Sequence, residues 1–243
     1  MSDWGQYLLR DSYFSIAQGQ VGGYSLAHVT GYNSDLDIGV DETVWAAGGL
    51  YPWSTWNSTR VITVVSTSAS DTGSVVVSGL DVNYNPITEE IDFNGLTSGT
   101  GTVQFKRVNS ALYKDSGANN VGVITLTANG GTVVGLIEAG IGQTLNGIYT
   151  VPAGHTAYIL CGDFSVHKGK NAQVRFFIRP FGQSFRIAHI GETTESTYRY
   201  DFTVPVAMTE KTDLDIQAAL IETNNTRVTT NFSMILVNNN ALQ

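Results

Sequence analysis

The sequence contains a single cysteine, Cys161, among 243 residues, so no disulfide can form within the chain. It also lacks an apolar run of about twenty residues, the length that a helix needs to cross a membrane. The N-terminus has no basic start followed by an apolar stretch, which a secretory signal requires. The sequence therefore predicts a protein made in the cytosol, without membrane insertion or secretion.

Positive charge is scarce as well. The chain has 13 Lys and Arg against 21 Asp and Glu, a net charge of −8 at pH 7. Nucleic-acid binding needs clustered cations, because its affinity comes largely from the release of counterions. The nearest such group is Lys168, Lys170, Arg175 and Arg179. We interpret these cations as hairpin-tip and strand-edge charges that discourage edge pairing, and predict no nucleic-acid partner.

The residue patterns of common enzymes are missing too. No Gly-x-Ser-x-Gly occurs, and the four histidines lack companions at metal-ligand spacing. Asp213 and Asp215 could form a glycosidase pair, but at positions i and i+2 of a strand we expect them on its solvated outer face. Asp35 and Asp37 leave a weak Ca²⁺ site as a minor alternative. We predict no enzyme, no cofactor and no metal.

What the chain does have is alternation of apolar and polar residues at period two, in segment after segment. Residues 198–206 and 214–220 are two examples, and turns rich in Asn, Asp and Gly separate such segments. About a dozen strands of this kind predict an all-β, antiparallel β-sandwich of jelly-roll or Greek-key type. We place the sandwich at residues 41–243, with a further division near residue 165 left open. Residues 1–40 are predicted to be an N-terminal extension or docking arm.

Large apolar side chains concentrate in two places that could contact a partner chain. The run at residues 41–56 holds three of the four tryptophans around Gly48 and Gly49. These rings could close one end of the protein's own core, form a protein interface, or offer a carbohydrate-binding platform. The N-terminal residues approximate a helical stripe, which could pack on its own domain or dock on a neighbour. The candidate interface residues are Trp4, Tyr7, Leu8, Phe14, Trp45, Tyr51, Trp53 and Trp56.

Two phrases carry a resemblance to a known family. Residues 41–53, followed by a Val-rich strand, and the later phrase Tyr-Thr-Val-Pro-Ala-Gly-His-Thr-Ala-Tyr at 149–158 resemble virion structural proteins of tailed bacteriophages. The similarity is to proteins common in marine, T7-like phages, and its phrases fall between about residues 33 and 190.

This resemblance implies a non-enzymatic virion protein, assembled in the host cytoplasm. Our first hypothesis is a capsid decoration or cement protein that braces capsomers as a homotrimer, with the major capsid protein or other virion proteins as partners. The alternative is a tail-fibre, head-fibre or spike protein that binds the host surface, for example a surface glycan. The absence of coiled-coil heptads and shaft repeats favours the first.

Overall fold

The computed structural model describes residues 13–115 and 117–242, which form sixteen strands and very little helix. Residues 13–17 are helical, and short 3-10 helices span Trp53–Asn57 and Asn239–Leu242. The strands are β1 (Tyr24–Leu36), β2 (Glu42–Thr43), β3 (Ile62–Ser66), β4 (Thr72–Leu80), β5 (Pro86–Asn94), β6 (Gly99–Thr100), β7 (Arg107–Lys114), β8 (Ile124–Ala128), β9 (Thr132–Ile137), β10 (Ile148–Thr150), β11 (His155–Val166), β12 (Asn171–Arg179), β13 (Arg186–Thr194), β14 (Thr197–Met208), β15 (Asp213–Ala219) and β16 (Thr226–Asn238).

The first and last parts of the chain build two antiparallel sheets. One has the strand order β1-β16-β11-β14, and the other has β10-β15-β12-β13, with β2 also paired to β15. If β2 and β10 count as one interrupted strand, each sheet has four strands, and the chain passes between the sheets in the order of a jelly roll. The predicted fold class, an all-β antiparallel sandwich of jelly-roll type, is confirmed.

The interruption between β2 and β10 is where a second β-unit enters. The chain follows β15 as far as Val44, whose amide donates to Ile216, and then leaves the sheet. It returns at Gly147, which accepts from the amide of Ile216 and donates its own amide to the Val44 carbonyl at 2.9 Å. Both attachment points of the inserted unit therefore lie side by side on one strand.

The inserted unit, residues 45–146, is itself a small sandwich. Its sheets have the orders β6-β3-β8-β9 and β5-β4-β7. Alternating residues such as Ile62 and Val64 in β3 point into its core, where Phe105 and Leu126 are fully buried. The jelly roll has a separate core. The chain thus consists of two β-units, each with its own hydrophobic core.

Two boundaries predicted from the sequence differ from this arrangement. Strand β1 belongs to the jelly roll, because it pairs with β16 from Tyr24 to Leu36, so the predicted extension over residues 1–40 is too long. Phe164 and Ala172, on either side of the predicted division near residue 165, lie in the same core. The cores divide instead where the chain leaves and re-enters the interrupted strand. Periodicity alone does not show this division, because both units have the same alternation.

Candidate functional site

Strand β15 is buried on both faces and lies at the junction of the two units. Leu214 and Ile216 face the jelly-roll core, while Asp213 and Asp215 point the opposite way and are 3% and 1% exposed. The expectation that these carboxylates lie on a solvated outer face was wrong. They do share one face, but residues of the inserted unit, including Arg107 and Trp53, cover it.

Asp213 is the centre of a buried ionic cluster. Its carboxylate accepts hydrogen bonds from Arg107 Nε at 2.8 Å and Nη2 at 3.1 Å, and from Arg179 Nε at 3.0 Å and Nη2 at 2.6 Å. Thr150 Oγ1 donates a further bond at 2.6 Å. Burial alone would lower the pKa of Arg107, but the adjacent Asp213 carboxylate more than offsets this effect, so the pKa of Arg107 is raised overall. Because Arg107 begins β7 and Asp213 begins β15, this ion pair joins the inserted unit to the jelly roll.

Backbone geometry explains why Arg179 joins this cluster. Arg179 and Asp213 are directly opposite in the β12–β15 ladder, so their side chains share a face and approach each other. The expectation that Arg179 is a strand-edge charge was wrong, because β12 is an inner strand between β15 and β13.

Asp215 makes a second connection between the units. It accepts hydrogen bonds from Thr43 Oγ1, Trp53 Nε1 and Gln217 Nε2, each at 2.9 Å. Burial raises the pKa of the Asp215 carboxyl, and these donors oppose that shift. The indole of Trp53 is thereby fixed at the junction.

Hydrogen bonds to the main chain add to these connections. The side chain of Asn109 in β7 donates from Nδ2 to the Thr150 carbonyl at 3.1 Å and accepts at Oδ1 from the Thr150 backbone amide at 3.0 Å. Ala153, just after β10, donates its amide to the Tyr84 carbonyl of the inserted unit at 2.9 Å. The two units therefore meet through a hydrogen-bonded interface.

The aromatic run lies beside this junction. Trp45, Tyr51 and Trp56 are 3%, 3% and 1% exposed and belong to the core of the inserted unit. Trp45 Nε1 donates to the carbonyls of Gly48 and Gly49, and Trp56 Nε1 donates to the Tyr51 hydroxyl. These three rings are covered by the chain's own side chains and leave little surface for a partner. Trp53 is half-buried.

The N-terminal candidates are placed only in part. Trp4, Tyr7 and Leu8 lie outside the described residues. Phe14 is on the helical segment at residues 13–17 and is 66% exposed.

A cavity of about 480 Å³ opens at the junction, and we call it the junction pocket. Four cations line it: Lys106 and Arg107 from the inserted unit, and Arg179 and Lys211 from the jelly roll. Asp213 is the one acidic residue among its lining residues. The pocket thus concentrates positive charge in a chain whose net charge is −8.

Aromatic rings form the other walls of the junction pocket. Trp53, Tyr84 and Phe181 line it, and Phe181 is 61% exposed. The Tyr84 and Phe181 rings meet edge to face with centroids 5.8 Å apart. A cavity of this volume with polar groups between aromatic walls has the general form of a small-ligand site.

Sequence reasoning did not identify Tyr84, Arg107 or Lys211. Each lies in or beside a turn or at a strand end, and the contacts that bring them together span more than a hundred residues, as in Arg107 and Asp213. One signal was available: two carboxylates on a strand whose other face is strongly apolar are candidates for burial beneath a second unit.

Within the residues that the structure describes, no group of three or more His, Cys, Asp and Glu side chains could hold a metal ion. No helix there is long and apolar enough to cross a membrane.

Comparisons with known proteins yield only remote structural likeness. No protein-family model and no curated protein sequence matches the chain. The chain is weakly similar to the VP2 subviral particle of infectious bursal disease virus, at 9% identity and a TM-score of 0.25, covering 90% of this chain and 73% of that one. A structure of the Gx strain of the same virus gives 10% identity and a TM-score of 0.27, covering 88% and 72%. The order of the strands in the two sheets, and not this likeness, identifies the jelly roll.

Proposed function

We propose that this chain is a non-enzymatic structural protein of a virion, and specifically a capsid decoration or cement protein. The observation that carries the proposal is the jelly roll of two four-stranded sheets with a second sandwich fixed to it. Jelly rolls of this kind form viral capsid domains, although they also occur in lectins and other proteins. The resemblance of residues 41–53 and 149–158 to phage virion proteins supports the same class.

A brace between capsomers has to hold its contact surfaces at fixed positions. The buried cluster of Arg107, Asp213 and Arg179 contributes to that property, because separating the two units breaks the ion pair and the hydrogen bonds between Arg107 and Asp213. Exposed apolar side chains are available for contacts on edge strands of both jelly-roll sheets. They are Ile187 and Ile190 on β13, and Val204 on β14, at 48%, 47% and 79% exposure. Many copies on a lattice would make even weak contacts of this kind effective together.

Immunogold electron microscopy of purified particles of the encoding phage, with antibody against this chain, tests the proposal. Gold over the head in many copies is the expected result. Gold confined to the tail contradicts the decoration role, and no gold on particles contradicts a virion role at the surface. Sedimentation equilibrium of the purified chain tests the homotrimer, whose mass would be three times the 26.1 kDa of one chain.

A second candidate function is a fibre or spike protein that binds the host surface. The junction pocket favours it, because cations beside exposed rings can hold an acidic sugar of a surface glycan. Gold at the tail or at a few points, together with binding of particles to host glycan, would support this candidate over the first.

A further inference from the structure

The junction pocket contains cationic groups whose hydrogen-bond donors are not all paired within the described part of the protein. All three nitrogens of Arg107 make hydrogen bonds: Nε and Nη2 bind Asp213, and Nη1 donates to the Lys106 carbonyl at 2.8 Å and to the Trp56 carbonyl at 3.5 Å. Arg179 uses Nε and Nη2 on the same carboxylate, whereas its Nη1 has no hydrogen-bond partner among the described residues. The Nη1 group of Arg179, with its two N–H donors, therefore remains available at the pocket.

Lys211 supplies a cation that has no counter-charge among the described residues. Its Nζ makes no hydrogen bond or ion pair within the described part of the chain, and it lies over two rings of the pocket. The distances are 5.9 Å to the centroid of Tyr84 and 5.3 Å to that of Phe181. These cation–π contacts hold the ammonium group beside the pocket while leaving its hydrogen-bond donors free.

The backbone around the pocket is strained at two of these residues. Tyr84 and Lys211 have φ angles of 67° and 61°, in the left-handed region that residues other than Gly, Asn and Asp seldom adopt. Residues held in such conformations cluster at active sites and ligand-binding sites. Both residues line the same pocket and face each other through the Lys211–Tyr84 contact.

We propose that the junction pocket binds an acidic saccharide unit, a sugar ring that carries a carboxylate, as in an acidic polysaccharide. Arg179 Nη1 and Lys211 Nζ donate to the carboxylate, and the apolar face of the sugar ring packs on the exposed ring of Phe181. This site extends the proposed virion role, and the argument for it does not depend on where in a particle the protein is placed.

Three features favour a saccharide over other anions. The pocket volume of about 480 Å³ is in the usual range for small ligands of about 300–1,000 Å³. The cations form one compact group instead of the long track that a nucleic-acid backbone needs. The exposed ring of Phe181 suits a ligand that has both an apolar face of C–H groups, as a sugar ring has, and a charged group.

Calorimetric titration of the full chain with trigalacturonic acid tests the proposal, with fully methyl-esterified trigalacturonate as the matched neutral ligand. We expect the acid to bind with a dissociation constant below about 1 mM. The ester removes the charge and keeps the ring, so its affinity should be at least about tenfold weaker, as for the loss of a charge-assisted hydrogen bond. Trp53 fluorescence should change on binding, because this ring forms part of the pocket wall.

Two variants separate loss of the site from loss of folding. Lys211→Asn removes the charge with a residue that tolerates the left-handed backbone, and Phe181→Ala truncates an exposed ring. Lys211→Asn should weaken binding of the acid at least about tenfold, and Phe181→Ala at least about threefold. Thermal unfolding of both variants should stay close to that of the original chain. Lys114→Gln, which removes an exposed lysine of the inserted unit paired with Glu90, should leave binding unchanged.

Four results would overturn the proposal. They are a dissociation constant of the acid above about 1 mM, equal affinity for acid and ester, unchanged affinity in folded Lys211→Asn, and competition by N-acetyl-aspartate at concentrations as low as those of the saccharide. The last result would mean that the pocket accepts an acidic side chain of a protein partner, and that the sugar ring contributes nothing.

Discussion

Replacing Asp213 by asparagine would remove the charge that joins the two units while keeping the size of the side chain. Asp213 accepts five hydrogen bonds, four of them from arginines. The Arg107 side chain is 8% exposed, so in Asp213→Asn its charge would stay buried without a counter-charge. Breaking a buried pair in this way destabilises proteins by about 3–5 kcal/mol. Arg179 is 26% exposed and water compensates part of its loss, so we base the estimate on Arg107 alone.

The change should be visible in urea unfolding followed by tryptophan fluorescence, since Trp45, Trp53 and Trp56 all lie at or near the junction. A loss of about 3–5 kcal/mol corresponds to a melting temperature lower by about 6–20 °C in a chain of this length. The matched control is Asp201→Asn, which breaks the Arg199–Asp201 pair whose side chains are 74% and 63% exposed. We expect no measurable change from the control.

A second substitution tests the cause of the loss. Adding Arg107→Met to Asp213→Asn removes the uncompensated charge and should recover part of the stability, because a buried pair can be replaced by apolar groups at little cost. If Asp213→Asn costs less than about 1 kcal/mol, or if the double variant is as unstable as the sum of both single variants, the charged cluster does not hold the junction.

Three further predictions follow from the fold. The Asp71 carboxylate is buried and accepts bonds from Ser66 Oγ and two backbone amides; although burial raises its pKa, these donors lower it overall. Its contribution to stability is therefore present at neutral pH and lost as the pH falls below about 4. Asp71→Asn should lower the free energy of unfolding by about 2–3 kcal/mol at pH 7 and reduce the further loss of stability at acid pH. An unchanged loss of stability at acid pH would contradict this. Gly31→Ala would make a methyl group clash with the Val44 carbonyl oxygen and should lower the melting temperature sharply, as measured by circular dichroism. The control is Gly22→Ala, where the added atom meets nothing within 4 Å, and equal effects of the two substitutions would contradict the clash. Val204→Asp, at a residue 79% exposed, should leave the melting temperature unchanged but weaken sedimentation with purified capsids; undiminished capsid binding would remove β14 from the proposed contact surface.

Local pattern was enough to predict most strands and the architecture of the jelly roll. In β16, Val228, Phe232 and Met234 alternate with polar residues and are fully buried, as period-two alternation predicts. The same rule correctly put Asp213 and Asp215 on one face of β15. It could not say that the face is buried, because burial there depends on a unit inserted earlier in the chain.

The site was harder to predict for a related reason. Arg107 and Asp213 are 106 positions apart, and the pocket also needs Tyr84 and Lys211 in a backbone conformation that their residue types seldom adopt. Neither fact leaves a local sequence signal. A place in the protein's own core was one of the alternatives for the aromatic run, and Trp45, Tyr51 and Trp56 lie there. Trp53 and Trp56 also line the pocket, and of these two only Trp53 is half-buried.

The interrupted strand also determines how the molecule would respond to tension. The inserted unit leaves at Val44 and returns at Gly147, and both residues are hydrogen-bonded to Ile216 and to each other. A pull on the two ends of the chain would first separate β1 from β16, whose Tyr24 and Val237 ends are paired. Force would reach the inserted sandwich only after the hydrogen bonds of Val44 and Gly147 to Ile216 and to each other had broken. Under mechanical stress, the jelly roll would yield while the inserted sandwich remained folded, which single-molecule stretching would record as two separate extensions.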